Sequence, residues 1–207
     1  MDSIELELSN SIKSDLIKNL NQITLDIQQI MGKIEHKGCC ILNEFEQVHR
    51  VFSDLHMTAG SYYLNAYLSP FTDQFNEIST AVQHLSERNH GAIIAIERND
   101  SLDSLIHSGT HINATLSCPL LESIFYPGSP LHDGAVLVKK NNLVSAGNVL
   151  PLSRAYTGKQ KLGTRHRAAI GLSEISDALV LIVSEETGRI SFSFKGELFP
   201  VHPGGLV

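Results

Sequence analysis

Apolar residues recur every three or four positions along the first part of the chain, at Ile12, Leu16, Leu20, Ile23, Ile27, Ile30 and Ile34. That spacing puts them on one face of an α-helix. Ser3 can cap its start, and the acidic residues just after it suit the positive end of the helix dipole. Gly32 and Gly38 bracket a predicted break. The same period then resumes with Leu42, Phe45, Val48, Phe52, Leu55, Ala59, Tyr62 and Ala66. Ser69-Pro70 ends it, because the residue before a proline avoids helical angles. The pattern predicts an antiparallel two-helix hairpin over residues 1–68. Two helices enclose little core, so their stripe must cover another surface, either the rest of the chain or copies of itself. A packing appendage and an oligomerisation or regulatory element are both open.

From Phe71 the pattern changes. Residues 74–88, 118–126 and 164–175 have helical character, with Pro119 at the tolerated first turn. Gly91-Ala92-Ile93-Ile94-Ala95-Ile96, Ala135-Val136-Leu137-Val138 and the run from Ala178 to Val183 are short and continuously apolar, as buried strands are. Lys139-Lys140-Asn141-Asn142 reads as a turn into a hairpin partner from Leu143 to Leu150. The alternation Ile190-Ser191-Phe192-Ser193-Phe194 predicts an edge or half-exposed strand. The expected fold class is α/β (α+β): a mixed β-sheet flanked by helices over residues 69–207, preceded by the hairpin.

Composition narrows the setting. The 207 residues suffice for one sizeable core and a small appendage, and 42% hydrophobic with 18% charged residues is ordinary for a globular protein. The net charge of −6 gives no sign of a duplex-binding face, so no DNA partner is expected. The basic stretch from Lys159 to Arg167 is short and better matched to a few phosphates. Cys39 and Cys40 are adjacent with no second pair nearby, which does not fit a zinc-ligand spacing. Cys118 reads as a small buried hydrophobe. The odd cysteine count, the acidic start Met1-Asp2-Ser3-Ile4-Glu5 and the absence of a long apolar run lead to the expectation of a cytoplasmic protein without a membrane partner.

Three segments can carry chemistry. In Ser129-Pro130-Leu131-His132-Asp133-Gly134-Ala135 a proline loop delivers a His and an Asp to the mouth of a buried strand, and Gly134 permits close approach. The carboxylate could hold a metal or accept a hydroxyl proton; alone, Asp-Gly reads first as a turn. In Gly163-Thr164-Arg165-His166-Arg167 a glycine and a threonine open a helix whose free N–H groups attract anions, and two arginines add phosphate donors. It is no P-loop, and a capped helix with solvated basic residues is the other reading. Ser184-Glu185-Glu186-Thr187-Gly188 follows a buried strand, where carboxylates often face a ligand crevice or simply form a charged turn.

Together with Leu150-Pro151-Leu152-Ser153 and Gly171-Leu172-Ser173-Glu174, these segments resemble, in order and over about residues 71–198, the diadenylate cyclase domain family. The resemblance implies that two ATP molecules condense into cyclic di-AMP, a bacterial second messenger, with a divalent metal (Mn²⁺, Mg²⁺ or Co²⁺). It implies that two domains face one another, so that the chain is a homo-oligomer of paired active faces, up to a hexamer. It places Asp133 near the attacking 3′-hydroxyl and makes His132, Asp133 and Glu186 metal contacts. It assigns Gly134, Ala135, Gly163, Thr164, Arg165, His166, Arg167, Ser184 and Glu185 to the substrate, with the Leu150 backbone reading the adenine edge. Val149 departs from the aromatic residue that several relatives carry. A short N-terminal helical segment resembles the soluble type found in spore-forming bacteria. A non-catalytic adenine-nucleotide sensor and, more weakly, a metal-dependent phosphohydrolase are the competing readings.

Overall fold

The computed structural model describes residues 10–35, 41–107, 109–153 and 163–202. Ser3, Gly38, Cys39, Cys40 and residues 159–162, which figure in the expectations above, lie outside them. The chain divides into two compact units, Met1–Ala59 and Gly60–Val207.

The first unit holds α1 (Asn10–Glu35) and the beginning of α2 (Leu42–Leu68). The break bracketed by Gly32 and Gly38 starts late: α1 runs through Gly32 and ends at Glu35, and α2 starts at Leu42. One glycine costs a helix only about 1 kcal/mol, which a long helix absorbs. Lys33 at the end of α1 pairs with Glu44 at the start of α2 at 2.5 Å, as a hairpin requires. Ile23, Ile30 and Leu55 are buried, whereas Ile17, Leu20, Ile27, Met31 and Ile34 on α1 and Leu42, Phe45 and Phe52 on α2 remain exposed. The apolar arc is therefore wider than the surface that covers it.

The second unit begins inside α2, where Leu64 and Leu68 are fully buried. It continues with α3 (Phe75–Glu87), β1 (Ala92–Glu97), β2 (Thr110–Thr115), α4 (Cys118–Phe125), β3 (Ala135–Lys139), β4 (Asn142–Asn148), α5 (Thr164–Ile175), β5 (Leu179–Val183), β6 (Ile190–Phe194) and β7 (Glu197–Val201). The strands form one mixed sheet in the order β2-β4-β3-β1-β5-β6-β7. Only β1 and β3 run parallel; the other neighbours are antiparallel. The two-residue period of the strands splits the core in two. Ile94, Ile96, Val136, Val138, Leu181 and Phe192 pack with Leu85 of α3 and Leu121 and Phe125 of α4. Ile93, Ala95, Leu137, Val180 and Ile182 pack with Ala169 and Leu172 of α5.

The expectation for the strand at Ile190 is corrected. β6 is paired on both sides, by β5 and β7, and all five of its residues are buried. Ser193 faces partners instead of water: its Oγ lies 2.7 Å from Ser173 Oγ of α5 and donates to the Glu197 carbonyl at 2.9 Å, whereas the buried Ser191 Oγ meets no hydrogen-bond partner among the described residues.

Charge ties α3 to α4. One oxygen of Glu122 lies 2.5 Å from His84 Nδ1, and the other accepts from Arg88 Nη1 at 2.9 Å. The His84 bond first, and then the Arg88 bond, hold the Glu122 carboxyl down to about 2 from its ordinary 4.5. A carboxylate with a lower pKa in the folded state contributes its stability above the unfolded value and loses it as pH falls through the folded one. Glu122→Gln is therefore expected to lower stability at neutral pH, on the order of 1–3 kcal/mol. The gap to the parent should close as pH falls from 4.5 to about 2; denaturant melts across that range measure it.

Candidate active site

The sheet register assembles one end of the molecule. Ala135 at the start of β3 stands opposite Asn148 at the end of β4, and Ala92 at the start of β1 stands opposite Val183 at the end of β5. The loops before the parallel strands β1 and β3 therefore meet the segments that leave the antiparallel strands β4 and β5. The His132-Asp133-Gly134 loop, the Leu150–Ser153 stretch, the start of α5 and the turn 184–188 all lie on those connections.

Gly134 has a φ of 111°, a left-handed conformation that favours glycine. A Cβ there would stand 2.7 Å from the Gly147 carbonyl carbon and 2.8 Å from the Asn148 carbonyl oxygen. The missing side chain thus seats the loop on the end of β4, with exposed Asp133 just ahead of it. Asn148 completes the clasp: buried, it donates through Nδ2 to the Ala135 carbonyl at 2.7 Å and accepts from Ser145 at 3.0 Å. Ala135 and Leu150 bury their side chains in the core beneath α5, so they have only backbone to offer a ligand. The ring of His132 is anchored. Its Nδ1 lies 2.5 Å from the Ser129 carbonyl, which can only accept, so Nδ1 carries a proton and Nε2 is the nitrogen left for a ligand.

Gly163 precedes α5 as its N-cap, with no side-chain capping bond, and Thr164 is the first residue of the helix. Both are exposed. Arg165 donates to Glu185 at 2.6 Å. That bond, then the Arg165 charge, lowers the Glu185 pKa, and His132 adds to the same effect. Two distant stretches of sequence thus meet in one ion pair. Burial first, and then the neighbouring Arg165 cation, pushes the His166 pKa below its ordinary 6.5, with Glu186 opposing. Arg167 turns the other way: its carbonyl accepts from Ser153 N at 3.0 Å. Ser184 holds the turn shut, accepting from Gly188 N at 2.9 Å and donating its own N–H to the Arg189 carbonyl at 3.0 Å. Glu186 is exposed. His132, Asp133 and Glu186 do not converge within one ion's coordination distance; among the described residues the three-ligand convergence is elsewhere, at His84, Cys118 and Glu122.

Sequence reasoning missed Gly91. A Cβ on it would stand 2.5 Å from Arg165 Nη1 and 2.9 Å from Glu185 Cβ, so this glycine makes the room in which the pair forms. Its only sequence signal is a glycine directly ahead of an apolar run. Ser129 and Asn148, which orient His132 and clasp Ala135, carry no sequence signal of that role.

Over residues 79–198 the chain matches the family model described as DisA bacterial checkpoint controller nucleotide-binding. Over residues 4–71 it matches the one described as diadenylate cyclase CdaS, N-terminal. It is 50% identical over 197 residues to the Bacillus thuringiensis protein named diadenylate cyclase CdaS, which spans 95% of this chain and 98% of that one. It is 47% identical over 192 residues to the Bacillus subtilis protein named cyclic di-AMP synthase CdaS, across 93% and 92% of the two chains. A Bacillus cereus crystal structure described as a hypothetical membrane spanning protein superposes with a TM-score of 0.79 at 50% identity, covering 94% of this chain and 95% of that one. Among the described residues of the present chain no helix is long and apolar enough to cross a membrane.

Proposed function

The chain belongs to the diadenylate cyclase family, and on that premise we propose that it condenses two ATP molecules into cyclic di-AMP. The observation that carries this reading is the sheet register, which puts the Gly134 loop against the end of β4 and sets the Arg165–Glu185 pair, 2.6 Å apart, on the neighbouring connections. It draws the Asp133 loop, the start of α5 and the turn after β5 toward one ligand.

In the proposed reaction each copy of the chain holds one ATP and two copies face each other. The 3′-hydroxyl oxygen of one nucleotide attacks the α-phosphorus of the other. The bond from that phosphorus to the bridging oxygen breaks, and pyrophosphate leaves. Asp133 orients the hydroxyl and takes its proton, which passes to solvent. The free N–H groups at the start of α5, with Thr164, Arg165 and Ser184, receive the triphosphate. His166, held toward its neutral form, can accept or donate a hydrogen bond there. The Leu150 backbone reads the adenine. Two such displacements close the ring, and positioning with electrostatic stabilisation supplies most of the catalysis.

The residues suit a divalent metal. A ligating histidine usually gives its other ring proton to a carbonyl, as His132 does to Ser129. His132 through Nε2, Asp133 and Glu186, which stand apart in this structure, would have to close on the ion, together with oxygens of the ATP phosphates. An ion such as Mn²⁺, Mg²⁺ or Co²⁺ held there would supply charge neutralisation for the leaving pyrophosphate. The exposed stripes of α1 and α2 supply the surface for self-association.

Purified full-length protein with ATP and each metal in turn is expected to yield cyclic di-AMP and two pyrophosphates per product, with specific activity falling on dilution as copies separate. Binding of ATP without pyrophosphate release would favour a sensor, and AMP or ADP as product a phosphohydrolase. Gly91→Ala provides a narrower check. Two of the atoms its Cβ meets belong to the Arg165 guanidinium, which can swing away, and the third, Glu185 Cβ at 2.9 Å, must shift with its exposed turn, so the fold should persist while the Arg165–Glu185 pair is displaced. ATP affinity is expected to drop roughly tenfold, the scale of one charge-assisted hydrogen bond, with the melting temperature little changed.

A further inference from the structure

Where α3 meets α4 in the second unit, His84, Cys118 and Glu122 place one ligand atom each within 4.8 Å of one another. Cys118 and Glu122 are four apart on α4, so they share a face, and His84 reaches them from the last turn of α3. Two of the contacts converge on a single atom. Glu122 Oε1 lies 2.5 Å from His84 Nδ1 and 3.2 Å from Cys118 Sγ. The other carboxylate oxygen is held by Arg88 Nη1 at 2.9 Å, which fixes the plane of the group. The Cys118 N–H donates to Glu77 Oε2 at 2.6 Å, so the start of α4 is anchored to α3 beside the thiol. None of these residues belongs to the cluster around Arg165 and Glu185.

We propose that His84, Cys118 and Glu122 form a second metal site, selective for a soft divalent ion such as Zn²⁺. The donor set decides the class: sulfur, imidazole nitrogen and one carboxylate oxygen suit tetrahedral zinc, whereas Mg²⁺ and Mn²⁺ prefer oxygen ligands. At metal–ligand distances of about 2.0–2.3 Å, the donors of a tetrahedral site are separated by roughly 3–4 Å. The 2.5 Å between Glu122 Oε1 and His84 Nδ1 must therefore widen, the 3.2 Å to Cys118 Sγ already fits, and the third separation, within 4.8 Å, needs no more than a small contraction. Binding breaks the Cys118 S–H bond and releases its proton to solvent. His84 Nδ1 also gives up to solvent the hydrogen that points at Glu122, so that it presents a lone pair with the ring proton on Nε2, and water completes the shell. The ion replaces hydrogens that now point at Glu122 Oε1, and it joins α3 to α4. No paired-cysteine spacing announces the site, because its ligands come from two helices 34 residues apart in sequence (84 to 118).

Cobalt provides the test, since a thiolate ligand gives Co²⁺ a charge-transfer band in the near ultraviolet that oxygen and nitrogen ligands do not. Chelator-stripped full-length protein is titrated with Co²⁺ and then with Zn²⁺. One equivalent of cobalt should produce the band, and Zn²⁺ should abolish it in the presence of excess Mg²⁺. C118S should lose the band, and the double variant C39S/C40S should keep it. His84→Ala should weaken cobalt binding by at least about tenfold, the scale on which even outer-shell partners act. No band in the parent, or a band that survives C118S, overturns the proposal. Should C118S fail to fold, undiminished cobalt affinity in His84→Ala overturns it equally, and a weakened one supports it.

Discussion

Asp133→Asn is expected to lower cyclic di-AMP formation roughly 100- to 10,000-fold, the contribution of a positioned general base. Asparagine keeps the size and shape of the side chain but removes the charge that accepts the proton. Nothing in the fold depends on that charge: Asp133 is exposed, and its loop is seated by Gly134 against Gly147 and Asn148. The melting temperature should therefore match the parent. ATP affinity should stay within a few-fold, because the triphosphate is assigned to the start of α5 and to Ser184. Product chromatography, calorimetric titration with ATP and circular dichroism together decide. Undiminished turnover removes Asp133 from the chemistry. Loss of turnover with equal loss of ATP affinity makes it a binding group instead.

The parts of the fold that were legible in the sequence are those whose residues answer to one partner. α5 begins at Thr164 and the β3–β4 hairpin closes where its apolar runs predict. β2 was not legible, since it is a sheet edge with the polar sequence Thr-His-Ile-Asn-Ala-Thr, a positive φ at Asn113 and a break in register between His111 and Ala114. β7 was hidden for a related reason, with Glu197 and Pro200 on a strand that pairs on one side only. Once β7 is in place, β6 cannot be an edge, and both of its serines are buried. The site follows the same logic. Asp133-Gly134 read alone is a turn; what lifts it is contact with Gly147 and Asn148, and a pattern along the chain does not reveal which residues close on it. The N-terminal hairpin illustrates the limit again, because helical periodicity ran on past the point where Gly60–Val207 becomes a unit of its own. A truncation meant to remove the hairpin must therefore stop before Leu64 and Leu68, which are core residues of the second unit.

Gly171→Ala should produce the largest loss of stability, against what helix propensity predicts. Gly171 lies in the middle of α5, where alanine would be favoured by about 1 kcal/mol. Its added Cβ, however, would stand 2.3 Å from the Pro151 carbonyl oxygen, 2.4 Å from Ser153 N and 2.7 Å from the Leu152 carbonyl carbon. All three are backbone atoms and cannot swing away as a side chain can. The segment is also pinned: Ser153 N donates to the Arg167 carbonyl at 3.0 Å, and Ser153 Oγ to Glu174 at 2.6 Å. Relieving the overlap means breaking those bonds or moving α5 off the sheet. Overpacking of about 1–3 kcal/mol, with about 1 kcal/mol for each disrupted bond, outweighs the propensity gain. A net loss of about 2–4 kcal/mol is expected from denaturant unfolding. The same shift carries Leu150 away from the start of α5, so the KM for ATP should rise as well. Gly32→Ala is the internal control, since a Cβ at that helical glycine meets nothing within 4 Å. There propensity acts alone, and the substitution should be neutral or stabilising. If both variants behave like Gly32→Ala, the segment Pro151–Ser153 does not rest on α5, and the adenine-reading role of Leu150 loses its support.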